Sequence, residues 1–425
     1  MINILIIYLT DLKMLKIAII TGSLFMPLLL NAAERPEPGL LITSQNVAKY
    51  TDFIDEPISQ LIKKQYLSIK VGKTFSIPAN KVFQALTRKY KGLASLNAET
   101  GQIENYREGL PFSAEPSMAD KSAGLKLAWN MRYSYGGDSS VVDPFIWDYR
   151  NMKTGKIERT LSFVGKTLRY KHRVLLEPVP ELADNPADIF NAIYLLAKKP
   201  FDLKNTQLLV HRLEDDSARE RTWLYLSIHR RVRRLPTGQS TDAFLGSDIM
   251  IEDFLGYNGR IKDMHWKFLG TRELLVPFFR YDQIPLGDVA DSSGFRFGTF
   301  HGQGKCFPNI PWQLRKVYTL EAIPKWEQHP LSKRIFYVDA ETFIPVSGRY
   351  YDRSGKIWRL GIAGFAHPDY HLSQNKGSGV AIPSLVSMVD VQAEHCTTLK
   401  MKTRINVKNL KQKDFTVQSL RTRGR

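Results

Sequence analysis

Hydrophobic positions along this chain change their period after about residue 95, separating a helical N-terminal part from a long β-rich remainder. Before the change, Glu56 to Tyr66 has the make-up of a short helix. Asn80 is placed to cap a second, in which Val82, Phe83, Leu86 and Tyr90 share one face before Gly92 ends it. After it, Leu125, Leu127, Trp129, Met131, Tyr133 and Tyr135 alternate with Lys126, Ala128, Asn130, Arg132 and Ser134, which predicts a long strand closed by Gly136-Gly137-Asp138. Phe145, Trp147 and Tyr149 repeat the alternation, and residues 157–176 read as a hairpin around Gly165-Lys166. One helix interrupts, over residues 186–198. Asn185 is its cap, Pro186 its first residue, Ile189, Phe190, Ile193, Leu196 and Ala197 its apolar stripe, and Pro200 its stop. Strands then follow at 207–213, 223–231, 260–269, 312–323, 333–339, 343–352 and 356–362, with turns such as Asp352-Arg353-Ser354-Gly355. This is an antiparallel meander with no parallel crossover units, hence a mainly β, α+β fold. Residues 281–311, with five glycines, read as a long loop of the kind that serves as a flap or mobile insertion.

At 425 residues the length allows two domains or one large antiparallel sheet, and 43% hydrophobic residues are ample for a core. Lys13 and Lys16 precede an apolar run from Ile17 to Leu30, followed by Asn31, Ala32 and Ala33. That order predicts a cleaved signal peptide over 1–33, or from Met14, and therefore a periplasmic protein. No cysteine lies near the cleavage point, so a lipid anchor is not expected. Residues 34–95 then form a linker and helical segment, and 96–425 a single β unit. The net charge is +18, and its C-terminal tail from Lys400 to Arg425 holds nine Lys and Arg against Asp414 alone. Export removes nucleic acid as a partner and leaves anionic membrane surfaces or envelope polymers; a generally basic proteome explains the charge equally well. For Cys306 and Cys396 two readings stand, one disulfide tying the glycine-rich loop to a late strand, or two buried thiols.

Chemistry-bearing motifs are weak. Gly302-Gln303-Gly304-Lys305-Cys306 lacks phosphate-loop spacing, and no GxSxG elbow occurs. His367, Asp369 and His371 have a ligand-like composition in a loop without a clear third partner. His211, His229 and His265 read as structural, and Asp215-Asp216 as a turn. Neither a cofactor nor a metal is expected, and the chain reads as non-enzymatic.

Two segments carry a resemblance. WLYLSIHRRVRRLPTGQSTDAFLGSDIMIEDFLGYNGR (223–260) combines an arginine cluster with a Phe-Leu-Gly-Ser-Asp loop, and RIFYVDAETFIPVSGRYYDRSGKIWR (334–359) is a strand–turn–strand–turn–strand unit. Both resemble LolA-like outer-membrane lipoprotein-sorting proteins. ENYREGLPF (104–112), AWNMRYSYGGD (128–138) and DVQAEHCT (390–397) resemble a narrower, large bacterial family of periplasmic proteins whose role is undefined. The resemblance implies an open antiparallel half-barrel with helices on its concave face, the place where sorting proteins hold acyl chains. Trp129, Met131, Tyr133 and Tyr135, with Trp223, Tyr225 and Phe244, are then candidates to line a hydrophobic cavity, against the alternative of plain core packing. Arg231, Arg233 and Arg234 are candidates for a head-group rim. Arg231 and Arg233 share one strand face, Arg230 and Arg234 the other, and the alternative is internal pairing with Asp242, Asp248, Glu252 and Asp253. The expected role is a carrier for a lipid or other hydrophobic molecule, serving lipid or lipoprotein trafficking or an export system. An inner-membrane exporter or an outer-membrane protein would be its partner. The competing roles are an interaction subunit of an envelope complex and, last, a hydrolase using His367, Asp369 or His371.

Overall fold

The computed structural model describes residues 34–235, 241–254 and 256–423, so the predicted signal peptide lies outside the described residues. Thirteen strands lie on one path: β1 (Ser139–Asn151), β2 (Ile157–Arg169), β3 (Ile189–Lys199), β4 (Gln207–Leu213), β5 (Arg221–Leu226), β6 (Arg231–Arg234), β7 (Met264–Val276), β8 (Gln313–Pro324), β9 (Leu331–Asp339), β10 (Pro345–Asp352), β11 (Ile357–Ala366), β12 (Ile382–Asp390) and β13 (His395–Ile405). Each pairs antiparallel with its chain neighbour, except that β6 and β7 do not pair; β1 pairs instead with β13. The sheet is thus a meander joined between its first and last strands and left open between β6 and β7. The expected mainly β, open antiparallel architecture is what the chain forms.

Among the described residues four α-helices accompany the sheet: α1 (Glu56–Lys63), α2 (Lys81–Lys89), α3 (Ala123–Tyr133) and α4 (Val417–Arg423). The predicted cap of α2 is present, Asn80 accepting from the Val82 N–H at 2.8 Å. The largest core lines both faces of the sheet: Trp147, Phe163, Trp266 and Phe336 face inward with α3, while α1 lies on the outer face, where Asp55 just before it accepts from Tyr337 Oη at 2.5 Å and pairs with Arg349. Two smaller cores lie on the outer face. Phe75 and Ile77 cover β7–β11 residues there, and Phe415 and Leu420 cover Tyr194, Leu209 and Tyr225.

Several elements differ from their sequence patterns. Residues 125–135 belong to α3 and its C-terminal end, not to a strand. The helix is buried on nearly every side, and its intervening polar residues Asn130 and Arg132 are buried too, so the alternation carried no inside–outside meaning. Residues 186–198 form no helix; β3 occupies most of them. Ala192 and Tyr194 pack on the outer face while Ile193, Leu195 and Ala197 face inward, and a strand buried on both faces mimics a helical stripe. Asn185 is no helix cap; its side chain accepts from the Ile189 N–H at 2.9 Å and donates to the Ile189 carbonyl at 2.8 Å. Gly165 marks no turn, because β2 runs straight through it. A Cβ there would meet Leu195 at 3.2 Å, so the missing side chain admits a neighbour. The strand predicted at 260–269 begins later and runs on to Val276. A bulge between Phe268 and Gly270 reverses the alternation, so that Trp266 and Phe268 face inward and then Leu275 does. In the segment predicted as one strand at 223–231, the chain turns after Leu226 and returns as β6.

The long loop and the C-terminal tail are both tied down. Residues 281–311 contain the pairs Leu286–Ala290 with Arg296–Gly298 and Phe300–His301 with Phe307–Pro308. Of the two cysteine readings, the disulfide is the one present. Cys306 is bonded to Cys396 on β13, with Cα atoms 5.9 Å apart, and Ser387 Oγ donates to the Cys306 carbonyl at 2.5 Å. Phe307 beside it is fully buried. Of the basic tail, Lys400, Lys402 and Arg404 lie within β13, and α4 closes the outer core rather than extending away from it.

Candidate functional site: the inner face and its cover

Helix α3 begins where Asp120 accepts from the Ser122 N–H at 2.8 Å and pairs with Lys126 at 2.8 Å. Its first turn rests on β7. A Cβ on Gly124 would stand 2.6 Å from the Trp266 carbonyl oxygen and 2.7 Å from Lys267 Cα, so only glycine lets the helix approach this closely. Its last turn reaches the opposite side of the opening. The Arg132 guanidinium, 1% exposed, meets Asp216 at 2.5 Å and donates to the carbonyls of Leu213 at 2.6 Å and Glu214 at 3.1 Å. Asp216, in the β4–β5 turn, also accepts from the backbone N–H groups of Ile261 and Lys262, just before β7. One buried ion pair therefore joins the helix and both margins of the gap. Removing one member of such a pair costs about 3–5 kcal/mol, because the other is left charged in the interior. Beside it, Glu214 accepts from Tyr133 Oη at 2.8 Å and lies 3.0 Å from His172 Nε2. Burial lifts the Glu214 carboxyl, but His172, Arg132 and Tyr133 outweigh it and hold it at about 2.

The candidate cavity residues divide between two cores. Trp129, Tyr133 and Tyr135 are buried in the inner core with Met131 at its margin, and Trp129 Nε1 donates to the Gly101 carbonyl at 3.1 Å. Phe244 joins the same core through Trp147, Phe163 and Phe254, with ring centroids 5.5–6.2 Å apart. Trp223 and Tyr225 are elsewhere, on the outer face beneath Phe415 and Leu420. The expectation that they neighbour Trp129 rested on reading α3 as a strand. The inner aromatics pack against one another, Trp129 stacking on Tyr133 and Tyr133 meeting Phe190 edge-on.

The arginine cluster also lies apart from the loop acids. Asp248 accepts from Thr397 Oγ1 at 2.7 Å and is 2.9 Å from His395 Nδ1; Glu252 and Asp253 both pair with the fully buried Arg334, and His329 lies 2.9 Å from Glu252. Residues 244–254 are thereby pinned to the inner face of β9 and β13. Burial raises Asp253 to about 6, whereas at Glu252 burial is outweighed by Arg334 and His329, which hold it below the usual range. Arg231, Arg233 and Arg234 are exposed on the edge strand β6 and form no ion pair among the described residues. Arg231 and Arg233 do share a face, opposite the Val232 that packs toward Tyr225. Arg334 was the partner the loop acids needed; an arginine flanked by Ile335, Phe336 and Tyr337 inside a strand is a signal for a buried countercharge.

A cavity of about 230 Å³ lies between α3 and the preceding segment, with Phe112, Ala123 and Leu127 as its apolar wall and Asp120, Lys126 and Asn130 among its polar residues. The segment is held to the helix by Asn130, which accepts from the Phe112 N–H at 3.0 Å and donates to the Ser113 carbonyl at 3.1 Å. Tyr318 on β8 donates to the Ala114 carbonyl at 2.6 Å. Sequence reasoning missed this site because residues 112–120 carry no periodicity. Among the described residues no three His, Cys, Asp or Glu side chains converge on a common point. His367 Nδ1 accepts from the Asp369 N–H at 3.2 Å, and His371 packs between Tyr281 and Phe295.

A thirteen-strand meander opened at one junction, its inner face covered by a helix and a pinned loop, defines a large open-sheet protein of the kind the resemblance implied. The chain belongs to the family described as protein of unknown function (DUF1329), whose model matches residues 41–421. It is similar to an uncharacterized protein of Pseudomonas aeruginosa, 26% identical over 349 residues that make up 78% of this chain and 70% of that one. Among solved structures it is similar to a putative outer membrane lipoprotein-sorting protein domain from Vibrio parahaemolyticus (18% identity, 71% of this chain and 100% of that one, TM-score 0.48). It is also similar to a DUF1329 family protein from Desulfovibrio piger (16% identity, 70% and 98%, TM-score 0.48). A LolA superfamily protein from Nitrosomonas europaea shares 13% identity over 68% of this chain and 94% of that one, with a TM-score of 0.40.

Proposed function

We propose that the protein is a non-catalytic periplasmic binding protein that takes up part of a lipid-like molecule beside α3, as a carrier in envelope trafficking. The observation that carries this reading is the cavity beneath the 112–120 segment, apolar along Phe112, Ala123 and Leu127 and polar at Lys126. At about 230 Å³ it is smaller than the roughly 300–1,000 Å³ of pockets that enclose drug-sized ligands. It suits the end of a hydrocarbon chain; a larger guest enters only if the segment held by Asn130 and Tyr318 lifts. Burial of apolar surface at about 25 cal/mol per Å² gives reversible binding at this size. Export is supported by the N-terminal pattern and by the disulfide, which persists in oxidising compartments.

Native mass spectrometry of the protein isolated from the envelope should show a reproducible hydrophobic adduct, and a fluorescent fatty acid should bind it saturably. Ala123→Leu, which places a larger side chain in the cavity, should weaken that binding at least tenfold while the melting temperature is retained. Protein that is reproducibly empty and shows no saturable probe binding would end this reading and leave the interaction-subunit role.

A further inference from the structure

The register places two hairpin ends of the sheet side by side. Gln207 at the start of β4 faces Tyr225 near the end of β5, and Ser162 of β2 faces Lys199 at the end of β3. The β3–β4 loop and the β5–β6 turn therefore project from the same end, about 10 Å apart at a spacing of about 5 Å per strand. Each tip carries a protruding apolar side chain, Phe201 at 91% exposure and Ile228 at 78%. Isolated exposed apolar residues are ordinary on protein surfaces. Two of the most exposed among the described residues at neighbouring tips, in a basic setting, are not. Residues 198–204 and 227–234 hold seven Lys and Arg against one acid, Asp202, and that acid is paired with Arg159 at 3.0 Å. Lys198, Lys199, Lys204, Arg230 and Arg231 are exposed around the two tips. Leu203 packs into the core beneath Phe201 and anchors the loop that presents it.

We infer that this end of the sheet docks the protein on an anionic lipid surface, with Phe201 and Ile228 entering the interface and the surrounding lysines and arginines lying over phosphate head groups. An aromatic and an aliphatic side chain held out on short loops suit the head-group boundary, and the exposed cations supply the complementary charge. A protein partner would instead call for a contiguous apolar patch with few charges at its centre. The surface is distinct from the cavity beside α3, and its test needs no ligand there.

The mature protein should co-sediment with phosphatidylcholine vesicles containing phosphatidylglycerol and not with phosphatidylcholine alone, and the binding should fall with added salt. Phe201→Ser with Ile228→Ser should weaken it on the order of tenfold. Arg230→Gln with Arg231→Gln should weaken it about fivefold per charge removed and flatten the salt dependence. All four positions are exposed, so unchanged thermal unfolding of the variants separates lost binding from lost structure. The inference is overturned if the folded wild-type protein ignores phosphatidylglycerol, or if the Phe201/Ile228 variant binds as wild type does.

Discussion

His371 illustrates how far a residue's surroundings can depart from what its type suggests. In sequence it belongs to a His-Pro-Asp-Tyr-His string with the composition of a metal site. In the fold its ring lies edge-on to Tyr281 and Phe295, its Nδ1 is 3.0 Å from Asn375 Nδ2, and its Nε2 is buried with no hydrogen-bond partner among the described residues. Burial, with Lys402 nearby, lowers its pKa to about 3. The unfolded chain binds the proton near pH 6.5 and the folded chain does not. The associated stability is therefore complete above pH 6.5 and is lost as pH falls toward 3, by about 1.4 kcal/mol per pH unit. Urea unfolding between pH 7.5 and 4.5 should show this decline, and His371→Asn should make it shallower. Equal slopes in the two proteins would mean that His371 is not the group responsible. Residue identity alone did not reveal this, because the aromatics that desolvate His371 come from residues 281 and 295. The pairing of Arg132 with Asp216 was hidden for the same reason: its members are 84 residues apart.

At the scale of elements, legibility followed whether the partners of a segment were local. The hairpin strands β9, β10 and β11 were readable because alternation and a turn signal at Asp352-Arg353-Ser354-Gly355 sit next to each other, and their pairing is with chain neighbours. The α2 cap was readable because Asn80 and Val82 are two residues apart. β3 was not, since the cover of its outer face comes from Phe415 and Leu420, more than two hundred residues later. With that cover unknown, a strand apolar on both faces looks like a helix. The same distance makes the C-terminal segment a stabilising element. His211 Nε2 is 2.7 Å from the Phe415 carbonyl, Gln207 Nε2 donates to the Leu420 carbonyl at 3.0 Å, and both apolar side chains are buried. Ending the chain after Asn406 should expose Tyr194, Leu209 and Tyr225, lower stability by about 3–6 kcal/mol, and produce binding of a hydrophobic dye. An unchanged unfolding midpoint would show that the segment is dispensable for the outer core. The shared face of Arg231 and Arg233 on β6 was legible, while the 112–120 cover was not.

Across the whole molecule, the run of strands from β7 to β11 could be read in outline, but β3, β12 and β13 and the joining of the sheet could not. Pairing of β1 with β13 brings residues 139–151 against 395–405, and no local pattern announces a contact over that separation. The opening is consequently set by where the chain stops pairing, between Arg234 and Met264. The disulfide acts at the same scale. It bridges 90 residues and fastens the 281–311 segment to β13, one of the two strands that complete the path. That segment has only two-residue and irregular pairings of its own, whereas β12 and β13 are held by long ladders on both sides. A crosslink closing a loop of this length contributes about 2–5 kcal/mol, chiefly by restricting the unfolded chain. Cys306→Ala with Cys396→Ala should therefore lower the unfolding free energy by that amount. Amide exchange should rise first in residues 281–311, while β12 and β13 remain protected until the whole sheet opens. Simultaneous loss of protection in the sheet and the segment would show instead that the crosslink holds the joined strands together, and that the barrel's continuity depends on it.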